Sequence, residues 1–170
     1  SGMGMLCSGE ISDYVWYALA EQDFLCNNDV RLKFGIRGYF RFKDDLLIVA
    51  SGDHNSRRAL LAELRVRAKF FRLKLESESG MEAVFLDLHL FKGNAWAKSQ
   101  RLDLKPFVKP TALEVPLNSS SCHPRFVHNG WPIAMHNKYV LRSSSPSDVR
   151  AAQLRLQHRI SSNDPSHVSL

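Results

Sequence analysis

Residues 37–52, RGYFRFKDDLLIVASG, set two adjacent aspartates, Asp44 and Asp45, between two short runs that favour β structure. Tyr39 to Phe42 and Leu46 to Ala50 are rich in aromatic and branched side chains, which suit a pleated, half-buried surface. Lys43, Asp44 and Asp45 interrupt them, so the stretch predicts a β-hairpin with the acidic pair at its turn. The Asn-Gly or Asp-Gly signal of a tight turn is missing, but Asp tolerates left-handed backbone angles and bonds its own backbone. Two carboxylates side by side repel each other, and a divalent cation relieves that repulsion. Mg²⁺ takes hard oxygen ligands, commonly one or two carboxylates with water and substrate phosphates. A rigid hairpin tip is therefore a suitable platform for nucleotidyl transfer. A polar turn in solvent accounts for the same two residues.

Working outward, residues 10–25 (EISDYVWYALAEQDFL) predict a helix with Ile11, Tyr14 or Val15, Ala18 or Leu19 and Gln22 on one face, fed by the flexible loop GMGMLCSG. Asn27, Asn28 and Asp29 interrupt that pattern. After the hairpin, Asn55 or Ser56 reads as the cap of an amphipathic helix that buries Leu60, Leu61 and Leu64. Alternation then predicts a strand from about Phe70 to Glu76, another over residues 83–91 (AVFLDLHLF), and a weaker third over 95–104. Pro110, Pro116, Pro124 and Pro132 make 106–136 an expected irregular segment. Ser145, Pro146 and Asp148 mark a helix start, with Val149, Ala152, Leu156 and Ile160 on its buried face. The last ten residues, SSNDPSHVSL, are expected to fray. The elements together imply an α+β fold.

At 170 residues and 44% apolar side chains, the chain is long enough for one domain with a sizeable core. Its 23 Lys and Arg against 17 Asp and Glu leave a formal charge of +6, which suits an anionic partner such as nucleic acid. Cys7, Cys26 and Cys122 form no CxxC pair, so neither a disulfide framework nor a zinc ribbon is indicated. The longest apolar run, LLIVA at 46–50, is too short to span a bilayer, and no signal peptide opens the chain. An intracellular location, nucleus or cytoplasm, is expected. The start SGMGM, without an initiator Met, predicts a piece of something longer.

Arg57, Arg58, Arg65, Arg67, Lys69, Arg72 and Lys74 can track a phosphate backbone, and a solvated helix face explains them equally. Cys122, His123, His128 and His136 fit no standard zinc spacing, and Pro124 and Pro132 break their segment, so loop structure is the better reading. His89 reads as a solvent-face residue of its strand. Tyr39, Phe40 and Trp131 suit base stacking, or a place in the core.

In order, the loop and helix, the strand, Phe42-Lys43-Asp44-Asp45, the second strand, a helix and a β-meander resemble the palm of a reverse transcriptase. Phe42-Lys43-Asp44-Asp45 is similar to that family's aromatic-x-Asp-Asp motif, and Gly2-Met3-Gly4 with Ser8 to its preceding Gly-rich block. Phe85-Leu86-Asp87, Lys109-Pro110-Thr111, Ser121-Cys122-His123-Pro124, Gly130-Trp131-Pro132 and Leu141-Arg142 follow in the order of the Penelope-like group of retroelements. The resemblance covers residues 2–155. It implies a partial palm over 1–105, an irregular connection and C-terminal helix over 106–160, and a tail over 161–170. It further implies RNA-directed DNA synthesis in the intact parent, with Mg²⁺ or Mn²⁺ as cofactor and an RNA template, a DNA primer and dNTPs as partners. By the same likeness Asp44 binds the metal and Asp45 supports it. Gly2, Met3, Gly4 and Ser8 contact template and nucleotide, and Lys105 and Lys109 lie near the primer, with Arg58 and Arg65 as further nucleic-acid contacts.

The chain departs from this pattern in three places. The family's first catalytic aspartate lies upstream of the Gly-rich block, where this chain starts. Asp13, Glu21 and Asp23 fall on a predicted helix and are not assigned to the hairpin tip. A two-metal mechanism needs ligands from both positions, so these 170 residues alone are expected not to polymerise. Gly9-Glu10 stands where the family often has Pro. Lys43 stands where a small or apolar residue is commoner; it either competes with the metal or points to the opposite strand face. The alternatives are a non-catalytic nucleic-acid-binding relic of such a polymerase, and a globular domain with an accidental turn.

Overall fold

The computed structural model describes residues 7–109, 117, 118 and 120–163. Gly2, Met3, Gly4, Pro110, Thr111 and the tail 164–170 lie outside the described residues. The chain mixes helices with two small antiparallel sheets, an α+β arrangement, and divides into two compact units, Ser1–Glu76 and Ser77–Leu170.

The first unit begins with α1 (Ser8–Trp16), which continues as a π-helical segment, Tyr17–Leu25. Ser8 is therefore the first helical residue and not part of a loop. The buried residues are Trp16, Ala20, Glu21, Phe24 and Leu25, whereas Ile11, Ala18 and Gln22 are exposed. Of the predicted stripe only the alternatives Val15 and Leu19 are half-buried, so it misses the fully buried face. In the π turn an amide reaches back five residues, as Cys26 N–H does to the Glu21 carbonyl at 2.9 Å. Spacings of four and five then share one face, and the two largest apolar side chains set which face it is.

Asn27 to Asp29 do more than interrupt that helix: Asn27 caps a helix that the apolar pattern left unpredicted, α2 (Asn28–Phe34), by accepting from the amides of Asp29 and Val30. Gly35 ends α2 at φ +64, and a Cβ there would lie 2.9 Å from Ser51 Oγ, so the position admits only glycine without strain. β1 (Ile36–Phe42) then pairs with β2 (Asp45–Ala50), and Phe42 lies opposite Asp45. The predicted hairpin is present, turning on Lys43 and Asp44 alone.

α3 (His54–Arg67) starts two or three residues earlier than expected because the cap is the Asp53 carboxylate, 2.7 Å from Ser56 N. Leu60 and Leu64 close the core with Phe34 and Ile36. Residues 70–76 form no strand. Phe71 and Leu73 instead pack extended coil against that core, with the Phe71 ring edge-on to Trp16 at 5.3 Å. Alternating burial produces the same pattern whether or not a ladder partner exists.

In the second unit, residues 83–91 are two strands, not one. β3 (Glu82–Phe85) and β4 (Leu88–Phe91) form a hairpin turning on Leu86 and Asp87, and β5 (Asp103–Pro106) adds to β4. A two-residue turn preserves the parity of the alternation, which is why it read as one strand. Residues 94–99 are helical, α4 (Asn94–Ser99), because the Asp103 carboxylate accepts the Ala95 amide at 3.0 Å. The expected irregular stretch 106–136 contains most of α5 (Arg125–Leu141). Pro124 immediately precedes this helix, where no amide is needed. Pro132 removes one interior hydrogen bond, a cost of about 3 kcal/mol in an isolated helix; α5 persists through packing against α6 and burial of Tyr139. α6 (Pro146–Asn163) begins as predicted, with Ser145 Oγ accepting the Asp148 amide at 3.2 Å. Its buried face carries Ala152, with Val149, Leu156 and Ile160 half-buried. α6 also runs through Ser161 and Ser162, whose hydroxyls bond back to the carbonyls of Gln157 and His158, so the predicted fraying of those residues does not occur.

Candidate functional site

The β1–β2 tip is shaped by strand alternation. Tyr39, Arg41 and Lys43 share one face, toward α1 and the π-helical segment, while Phe40 and Phe42 project from the other and are exposed. On the inward face Glu21 is the anchor. Its Oε1 accepts from Tyr39 OH at 2.7 Å, Arg41 Nε at 2.7 Å and Trp16 Nε1 at 3.1 Å. A buried carboxylate satisfied by several donors, one of them cationic, is the arrangement that makes such burial tolerable.

Asp13 extends the chain of contacts to the turn. Its Oδ1 takes Arg41 Nη1 at 2.6 Å and its Oδ2 takes Lys43 Nζ at 3.1 Å, while Arg41 Nη1 also reaches the Lys43 carbonyl at 3.4 Å. Hydrogen bonds from Arg41 and then Lys43 hold the Asp13 carboxyl below its ordinary pKa. Burial, and next the bond to Glu21, push the Tyr39 hydroxyl above its own. Lys43 adopts φ +54, a left-handed conformation costing a non-glycine residue roughly 1 kcal/mol. Its ion pair and the Arg41 bond to its carbonyl hold it there.

Asp44 and Asp45 remain exposed, and among the described residues neither accepts a side-chain hydrogen bond nor joins an ion pair. Two free, adjacent carboxylates are hard oxygen donors of the kind Mg²⁺ or Mn²⁺ accepts, with water and phosphate oxygens completing the shell. Among the described residues no three His, Cys, Asp or Glu side chains gather into a metal site.

Arg58 and Arg65 are exposed on α3 and free of ion pairs among the described residues, as is Arg72. Other members of the basic cluster are engaged: Arg67 stacks on Phe24 and pairs with Glu63, Lys69 lies over Phe70, and Lys74 reaches Glu76. Ser8 lies at the start of α1. In the second unit, Lys105 sits over the Phe91 ring at 5.0 Å, and Lys109 is exposed. There Asp87 is clasped by Lys138 Nζ at 2.9 Å and by Arg142 Nη1. The histidines considered for zinc have other partners: His123 bonds Ser121 Oγ, His128 the Ser121 carbonyl, and His136 the Gln153 amide. His89 reaches Glu82 at 2.8 Å.

Sequence reasoning missed Asp13 and Glu21 as partners of the tip. One signal was available, since Asp13 and Glu21 are two acids eight residues apart on one helical stretch, separated by α2 from the strand they meet. Among the described residues no helix is long and apolar enough to cross a membrane. No family model, curated protein or solved structure matches the chain.

Proposed function

We propose that the chain is part of an intracellular RNA-directed DNA polymerase of a retroelement, its β1–β2 hairpin a partial palm whose tip carries metal-binding carboxylates. The observation that carries the reading is the tip itself: Asp44 on the two-residue turn and Asp45 at the first position of β2 stand free, braced from behind by Glu21 and Asp13. Support also comes from the ordered blocks that resemble the Penelope-like group. Two of them, at Asp87 and Arg142, meet in one ion pair across 55 residues of chain.

In this reading Asp44 and Asp45 would hold Mg²⁺ or Mn²⁺, which would supply Lewis acidity to a 3′-hydroxyl and charge neutralisation to a pyrophosphate. The chain's own part is to hold two carboxylates in a fixed relation. Asp44 is the principal ligand, and Asp45, opposite Phe42 at the first ladder pair, supports it. Arg58 and Arg65 offer unpaired cations to a nucleic-acid backbone, and Lys105 and Lys109 belong to the primer side.

The test is Mn²⁺ binding by the 170-residue chain, followed by the electron paramagnetic resonance of free Mn²⁺. Binding that is lost in Asp44→Asn supports the reading, and equal binding by both proteins overturns it. The relic reading is favoured by Arg58 and Arg65, exposed on α3 and free of ion pairs among the described residues. It predicts salt-dependent binding of a primer-template duplex that Arg58→Ala and Arg65→Ala weaken, with no Mn²⁺ dependence.

A further inference from the structure

We infer that Asp13 is a positioning residue for the Asp44 and Asp45 pair: it holds the Lys43 ammonium away from those carboxylates and so leaves them available to a divalent cation. The inference rests on the metal reading of the tip and adds a residue that the motif does not contain.

Lys43 precedes Asp44 directly, and its long side chain can reach either its own neighbours or the inward face. An exposed ammonium beside two unpaired carboxylates is drawn to them by Coulomb attraction. In the structure it is elsewhere, 3.1 Å from Asp13 Oδ2. Arg41, the other cation of this strand end, is likewise turned inward, held by Asp13 at 2.6 Å and Glu21 at 2.7 Å. Both cations near the tip are therefore satisfied by acids of the preceding helical stretch, and both carboxylates of the tip lack protein partners among the described residues.

The backbone reinforces this division. The left-handed φ of Lys43 sets the course of its residue at the turn, and Arg41 binds the Lys43 carbonyl from the same inward face. Neutralising Asp13 removes the anion that competes for Lys43. The ammonium is then free to turn to Asp44 and Asp45, the carboxylates that follow it in the chain, and opposes a cation there.

The experiment is a double-mutant cycle in the full chain, read by Mn²⁺ affinity, with circular dichroism to confirm folding. Asp13→Asn is expected to weaken Mn²⁺ binding by roughly three- to tenfold, the scale of one unit charge moving beside an exposed site. In a Lys43→Met background the same substitution should change affinity far less, and Asp13→Glu should restore it. Lys43→Met by itself should bind within about twofold of wild type, because its charge is already held off. An Asp13→Asn effect that is absent, or equal in both backgrounds, overturns the inference and leaves the metal reading standing. So does a several-fold gain from Lys43→Met alone, a variant that serves even if Asp13→Asn does not fold. Wild-type chain that fails to bind Mn²⁺, or binds it independently of Asp44, overturns both.

Discussion

The β1–β2 turn and the β3–β4 turn are built alike. Each has two residues, a non-glycine at positive φ (Lys43 at +54, Leu86 at +57) followed by an aspartate. Their surroundings differ. At the first turn the nearby cations are drawn to Asp13 and Glu21 behind the hairpin, and Asp44 is free. At the second, Lys138 and Arg142 of α5 and its C-cap close on Asp87, whose carbonyl also accepts the Phe107 amide at 2.9 Å. The same local device thus presents a carboxylate to solvent in one unit and fastens a helix to a hairpin in the other. What decides is where the counter-charges are anchored, which a turn motif does not encode.

The comparison breaks most visibly at Glu21. Glu21→Ala leaves Arg41 without its buried partner and should destabilise the first unit by about 3 kcal/mol, read by chemical denaturation. Next comes the exchange of roles between the two aspartates. Asp87→Ala should cost about 1–2 kcal/mol in the second unit, since its pairs are a third exposed and partly screened, whereas Asp44→Ala should stay within about 0.5 kcal/mol. Hydrogen exchange of β3, β4 and α5 amides should accelerate in the first variant alone, and Mn²⁺ binding should vanish in the second alone.

pH sharpens the picture from both ends. Asp13 has a lowered folded pKa, so its contribution is present above its unfolded value, about 4, and is lost as pH falls through the lowered one. The acid limb of the stability curve should therefore flatten in Asp13→Asn. Tyr39 has a raised folded pKa, so its contribution is intact below its unfolded value near 10 and is lost as pH rises from about 10 toward the folded value. Tyr39→Phe should remove that alkaline loss, measured as the denaturation midpoint against pH. The smallest effect lies in the turns: Leu86→Asn, which suits a left-handed position, should gain roughly 0.5 kcal/mol. Lys43→Asn should gain less, because the pair with Asp13 goes with it.

One element of each unit was plainly legible from residue order. The hairpin showed because aromatic and branched runs flank a polar break, and α6 showed because Ser145, Pro146 and Asp148 form a cap. The face of the first helix was misread because a π turn changes the period. α5 was hidden by Pro132, whose penalty is outweighed by packing that no local rule contains. β3 and β4 merged because Leu86 at positive φ carries no turn signal. Within the candidate site, Asp44 and Asp45 were legible and their supports were not.

Strand propensity and polarity are local properties, and they suffice to place two adjacent carboxylates at the tip between two short strands. That those carboxylates are free follows from contacts made in three dimensions. Their nearest cations are claimed by Asp13 and Glu21, 20 to 30 residues away along the chain. Electrostatic pairing depends on distance in space, and folding of the helical stretch against the hairpin sets that distance.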